Sequence, residues 1–160
     1  MSPAAKLSFQ VVFRVLLFFL FSSLCLCNRD TSILRVCNIT QTYTYATVNV
    51  CTSFSTTKCK AIQKFIQDFG IDILHLQDIR NVDLEISNYD YYKNTIKDTG
   101  QGVGVLARKD LAVTDLRYHP SGRILSFYCN DVVFSNVYAF SGSQHRLTRE
   151  RFFHKSWLPL

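Results

Sequence analysis

The sequence contains no Cys-x-x-Cys pair, and none of its four histidines is spaced to complete a zinc site with its six cysteines. A zinc module is therefore disfavoured. Cys37, Cys51, Cys59 and Cys129 lie beyond the first segment. Two of them fall at expected core positions, which points to buried thiols rather than a disulfide framework. A phosphate-binding loop is lacking too. Gly100-Gln101-Gly102-Val103-Gly104 has alternating glycines, but Val105-Leu106-Ala107 follows, not a helix. Those glycines suit a strand whose backbone is closely approached by its neighbours.

What is present is enough for one domain with a real core but not for two: 160 residues, 48% of them hydrophobic. The formal net charge is +6. Its placement matters more than its size. Lys58, Lys60 and Lys64 fall on the polar side of a helical pattern and read as a solvated face. Arg146, Arg149, Arg151 and Lys155 gather near the end, where contact with a polyanion competes with ordinary surface charge.

The chain begins with a cationic start (Lys6, Arg14), a short apolar stretch from Val15 to Phe21, and small residues before Asn28. This is the pattern of a secretory signal cleaved after Cys27, so residues 1–27 are expected to direct the chain to the secretory pathway. A membrane anchor through residues 11–27 is the second reading, the apolar stretch being short for a full span. In a third, the leader is adventitious and the chain stays in the nucleus or cytoplasm. Residues 28–42 read as a linker or an extra strand, with Asn38-Ile39-Thr40 as a glycosylation acceptor pattern.

The rest is organised around Ile71-Asp72-Ile73-Leu74-His75-Leu76-Gln77-Asp78, an apolar run that reads as a buried strand with Asp78 emerging at its end. Before it, Cys59, Ile62, Phe65, Ile66 and Phe69 recur at helical spacing over Thr57–Phe69, closed by Gly70. Earlier still, Tyr43–Val50 is β-branched and aromatic. Strand, helix and strand make a βα unit that brings Asn49 and Asp78 to neighbouring strand ends. Further strands are expected at Gly102–Ala107, Val113–Tyr118, Arg123–Cys129 and Val132–Ala139, the last two paired antiparallel through Asn130-Asp131, with a second helix over His145–Trp157. His75, between two leucines, reads as a core histidine. Tyr89, Tyr91 and Tyr92 sit in a connection and read as packing, with base stacking as the alternative.

The collinear segments TVNV, DILHLQD, GQGVGVLAR, SGRILSF, FSNVYAFSG and RLTRERFF resemble the endonuclease/exonuclease/phosphatase superfamily, most nearly the endonuclease domain of non-LTR (LINE-type) retrotransposon proteins. The resemblance runs from about Tyr43 to Phe153. It implies an α/β fold, a partial four-layer sandwich over residues 43–160 that lacks its carboxy-terminal half. It also implies Mg2+ as cofactor and DNA as partner. Asn49 and Asp78 correspond to the asparagine and carboxylate beside the catalytic metal, and Tyr138 to the tyrosine that donates to the scissile phosphate. Asn136 corresponds to a backbone support, and Arg146 and Arg149 to a helix near the nucleic-acid backbone. Three departures accompany it. Asn49-Val50-Cys51-Thr52 lacks the family's second asparagine and glycine, Asp78 is one methylene shorter than the usual glutamate, and Phe140 stands where proline is usual.

The family's Asp-x-Asn and Ser-Asp-His segments, which position the attacking water and supply the histidine, do not occur in the sequence. Two functional readings follow. One is a truncated retrotransposon-type endonuclease, ancestrally a Mg2+-dependent phosphodiesterase nicking DNA and inactive as this chain. The other is a non-enzymatic secreted or membrane-tethered remnant that binds nucleic acid weakly. Because the second half of the sandwich is missing, an apolar sheet face is expected to lie uncovered.

Overall fold

The computed structural model describes residues 31–37, 42–51, 55–130, 132–140 and 143–157. The leader and the Asn38 acceptor fall outside them. Among the described residues no helix is long and apolar enough to cross a membrane.

Two sheets form the framework. The first has the order β1-β2-β3-β5-β4: β1 (Thr31–Cys37), β2 (Thr42–Asn49), β3 (Ile73–Ile79), β5 (Gly102–Arg108) and β4 (Tyr89–Thr95). The second is the three-stranded run of β6 (Val113–Tyr118), β7 (Ile124–Cys129) and β8 (Val132–Val137). β2 and β3 are parallel and joined through α1 (Thr56–Phe69); the other pairings are antiparallel. The expected α/β class and the βα unit are thus observed, with strand ends moved by a residue or two. One strand goes beyond expectation: β4 forms from the tyrosine-rich connection, while β1 is the extra strand that is one of the two readings of residues 28–42.

α1 forms where its pattern said it would, and its ends explain its length. Ser55 Oγ accepts from the Lys58 N–H at 3.2 Å. At the other end Gly70 takes the left-handed conformation, φ 56°, and its N–H closes on the Ile66 carbonyl. Ile62 and Ile66 pack onto one face of the first sheet with Ala46, Leu74, Leu76 and Leu106. Leu84 and Ile86 of the β3–β4 connection join the same core.

The opposite face of that sheet packs on the second sheet. Because side chains alternate along a strand, Tyr43, Ile73, Val103 and Val105 point the other way from those residues and meet Leu125, Phe127 and Phe134. Phe127 and Phe134 stack at 5.5 Å between ring centroids. Cys129 is a thiol in this core, and Cys59 lies against the first. Asp72 is buried, its carboxylate accepting from Thr44 N–H at 2.7 Å and pairing with Arg108 at 2.5 Å. By register the outward positions of the second sheet are Thr114, Arg117, Ser126, Tyr128 and Ser135 together with Ile124, Val133 and Val137, and the Ser126 and Ser135 hydroxyls are bonded at 2.9 Å.

The alternating glycines act as anticipated. A Cβ on Gly102 would run into the Asn94 carbonyl oxygen, and one on Gly104 would stand 2.8 Å from the Tyr91 ring. The second helix begins as a 3-10 turn (Ser143–His145), becomes α2 (Arg146–Phe152) and continues as a π turn (Phe153–Trp157).

Candidate functional site

The site lies where the ends of β2, β3 and β8 reach the same rim of the two-sheet interface. Asn49 is the last residue of β2 and pairs in register with Gln77 of β3; the Val50 N–H continues the pairing to the Gln77 carbonyl at 3.0 Å. Gln77 then crosses to the second sheet, its Nε2 donating to the Val137 carbonyl at 3.1 Å. One layer deeper, Asn136 makes the same crossing from the other side. Its Nδ2 donates to the carbonyls of Leu76 at 3.0 Å and Gly104 at 2.8 Å, with the side chain buried. These two amides fix the end of β8 against β3 and β5, and with it the next residue, Tyr138.

Asp78 follows Gln77 but does not continue the strand regularly. The β3–β5 register slips between Gln77 and Ile79, and Asp78 takes a left-handed backbone, φ 54°. A bulge of this kind re-aims a side chain at a sheet rim, and aspartate tolerates the conformation better than most residues. Its Oδ1 accepts from Gln101 Nε2 at 2.6 Å. The Asp78 carboxylate lies within electrostatic reach of the Tyr138 hydroxyl. Burial first, then the Asp78 charge, raise the tyrosine's pKa. The Cys51 thiol raises it further, while Arg123 pulls it down. Tyr138 is therefore a neutral donor at physiological pH, within reach of a carboxylate's charge and beside a guanidinium.

Asp78 and Tyr138 are thus brought to the same rim, close enough for the carboxylate's charge to act on the phenol. Asn49 ends the adjoining strand, and its Oδ1 accepts from the Cys51 N–H at 2.9 Å, an Asx turn that folds Cys51 toward Tyr138. Arg146 reaches along its own helix to Glu150 at 3.0 Å. Arg149 Nη1 donates to the Phe140 carbonyl at 3.0 Å and so anchors the segment that follows Tyr138. His75 is the buried core histidine anticipated: its Nδ1 meets the Tyr45 hydroxyl at 2.8 Å, and burial lowers its pKa to about 3.

Two members of the rim carried no signal in sequence. Gln101 was read only as part of a glycine-rich stretch, and Arg123 only as the start of a strand. Arg123 lies at 4.1 Å from the Phe140 ring centroid and 5.1 Å from that of Tyr138. Nothing in the spacing of Ser121-Gly122-Arg123 reveals that stacking, because it depends on a segment fifteen residues on.

For a divalent cation the donor set is thin. Among the described residues no three His, Cys, Asp or Glu side chains cluster. Asp78 is the one carboxylate described at the rim, and Asn49 Oδ1 already serves its own turn. Magnesium accepts one carboxylate with the remaining positions filled by water and phosphate, so the residues fit a weakly held, water-rich ion and nothing tighter.

No family model matches the sequence, and no curated protein does. Among solved structures the chain is similar to TDP2. The truncated Caenorhabditis elegans protein aligns at 23% identity and a TM-score of 0.49, over 61% of this chain and 45% of that one. A second structure of C. elegans TDP2 gives 22% identity and a TM-score of 0.45, over 62% of this chain and 39% of that one. Danio rerio TDP2, humanized by 14 mutations, gives 12% identity and a TM-score of 0.45, over 68% and 55%. The chain thus spans less than half the length of the C. elegans TDP2 structures it matches.

Proposed function

We propose that this chain carries part of a phosphodiesterase domain of the endonuclease/exonuclease/phosphatase type, of the LINE-type endonuclease kind, with DNA as its ligand. The observation that carries the reading is the convergence on one rim of Asn49 at the end of β2, Asp78 in β3 and Tyr138 just after β8, tied by the Gln77 bond to the Val137 carbonyl, with the Asp78 charge felt by the Tyr138 hydroxyl. The residues come from three of the segments that resemble the family, and two amides, the part-buried Gln77 and the buried Asn136, hold their strands together.

The chemistry available is phosphate recognition. Kept neutral by burial and by Asp78, Tyr138 can offer its O–H to a non-bridging phosphate oxygen. There it stabilises negative charge that grows as the phosphorus is attacked. Asp78, with Asn49 beside it, would hold a divalent cation, which when bound supplies neutralisation of the phosphate charge. Hydrolysis also needs a group to activate water, and none of Asn49, Asp78 and Tyr138 is placed as a base for that step. Since removing one member of a catalytic set costs orders of magnitude, this chain alone binds DNA without efficient turnover.

A second reading is favoured by the exposure of Arg146, Arg151 and Lys155: a non-enzymatic binder that holds nucleic acid through the terminal helix. One experiment separates the two. Retention of a single-stranded oligonucleotide in Mg2+, together with nicking of supercoiled plasmid, is measured for the chain and for Asp78→Asn and Tyr138→Phe. Asparagine suits the left-handed backbone at position 78, so the first variant removes charge without strain. Weaker retention in both variants, with nicking at background, is the expected result. Retention unchanged in both but lost in Arg146→Gln/Arg151→Gln would overturn the rim site in favour of the helix.

A further inference from the structure

Arg123 stands at the rim with its charge unspent. The turn that precedes it is fixed: Gly122 has φ 68°, and the Arg123 N–H donates to Ser121 Oγ at 3.3 Å. Backbone pairing continues across to the tyrosine, with the Tyr138 N–H on the Arg123 carbonyl at 2.9 Å. The guanidinium then lies over Tyr138 and, more closely, over Phe140, and its Nη1 donates a 3.3 Å bond to the Tyr138 carbonyl. Cation–π contact with two rings holds the guanidinium plane without neutralising it. Among the described residues none of the ion pairs involves Arg123. Nearby cations elsewhere are answered differently: Arg108 by Asp72 and Asp110, Arg117 by Asp115, Arg146 by Glu150.

We infer that Arg123 is the phosphate-binding cation of the rim, its free N–H edge taking an oxygen of a phosphodiester that the Tyr138 hydroxyl contacts from the other side. A guanidinium offers five donors in a planar fork, and only one of them is used within the described residues. Half-buried and stacked, it loses little side-chain freedom on binding an anion. Phe140, standing where the resembled family has proline, acquires a role here: its ring is the nearer face of the stack. Arg149 supports the arrangement through its bond to the Phe140 carbonyl. The inference rests on the phosphodiester reading of the site, but it assigns the anchoring charge to the rim and not to the helix.

The test is the affinity of the full chain for a single-stranded oligothymidylate as a function of salt, compared with Arg123→Gln, Arg123→Lys and Tyr138→Phe. Losing one phosphate contact to a single strand lowers the steepness of log K against log salt by about 0.7. Arg123→Gln should show that decrease, with affinity at low salt reduced by roughly tenfold. Arg123→Lys, which keeps the charge and loses the plane, should keep the salt dependence and bind with intermediate affinity. Amide spectra establish that each variant is folded, and Arg123→Lys alone decides if Arg123→Gln is not. Unchanged affinity and salt dependence in Arg123→Gln, or an Arg123→Lys protein that loses the salt contact, overturns the inference. Weakening by Tyr138→Phe alone would sink Arg123 and leave the phosphodiester site standing. Weakening by Arg123→Gln with no effect of Tyr138→Phe would sink that site and leave the cation.

Discussion

Replacing Asn136 by leucine removes the crossing that ties β8 to the first sheet. The two side chains have similar size, so little cavity is created and the polar loss dominates. The Leu76 and Gly104 carbonyls, bonded by Nδ2 at 3.0 and 2.8 Å, each lose a donor inside the core. Leu76 and Gly104 are partners in the β3–β5 ladder and keep that pairing, so the loss is two further hydrogen bonds at about 0.5–1.5 kcal/mol each, or about 1–3 kcal/mol. Two effects offset this. Asn136 Oδ1 has no partner among the described residues, so removing it relieves one orphan, and leucine adds apolar burial. The net expectation is a loss of about 1–2 kcal/mol, a measurable part of a domain's usual 5–15 kcal/mol. Urea unfolding followed by circular dichroism reads it directly. With a slope of about 1–3 kcal/mol per molar, the midpoint should fall by roughly 0.5–1 M at unchanged slope. Asn136→Asp should be worse, because it sets a carboxylate against two carbonyl oxygens. A leucine variant with its midpoint within about 0.3 M of the parent would refute the assignment of Asn136 as the inter-sheet tie.

Other expectations follow from the same geometry. His75 has its pKa depressed from 6.5 to about 3, so the unfolded chain binds the extra proton. Its stabilising preference for the neutral form is full above pH 6.5 and is lost as pH falls toward 3, at up to about 1.4 kcal/mol per pH unit. Urea midpoints of the parent between pH 7 and 4.5 should decline more steeply than those of His75→Gln, and equal slopes would count against the buried neutral imidazole. Gly70→Ala should cost about 1 kcal/mol through the left-handed backbone alone, since nothing lies within 4 Å of an added Cβ. Gly102→Ala should be far more damaging because its Cβ meets backbone, and equal melting temperatures for the two would contradict the strand packing. For the leader, amino-terminal sequencing of chain secreted from eukaryotic cells should begin at Asn28; an intact Met1 would remove the signal reading.

Much of the framework was legible because period and punctuation agreed. The helix over Thr56–Phe69 has an apolar face, a serine cap and a closing glycine, and the buried strand after it contains three apolar residues in its first four. The β4 strand was missed because its Tyr-Asp-Tyr-Tyr-Lys-Asn-Thr composition lacks a clean alternation, and as an edge strand it needs none. Asn49, Asp78 and Tyr138 could be named from the collinear segments. What sequence could not supply were features set by contacts between distant segments. The bulge that turns Asp78 arises only when Ile79 pairs with Gly102, and Arg123 becomes a rim residue only when β7 and β8 bring it over Tyr138 and Phe140. The charged helix drew attention in sequence because its arginines are adjacent, yet Arg146 is turned to Glu150.

The rim site itself is tested most directly by amide chemical shifts of the full chain titrated with oligothymidylate in Mg2+. The account predicts that Asn49, Cys51, Asp78, Arg123 and Tyr138 shift together along one saturation curve. Shifts confined to the helix from Arg146 to Lys155, with the rim unmoved at saturation, would contradict it.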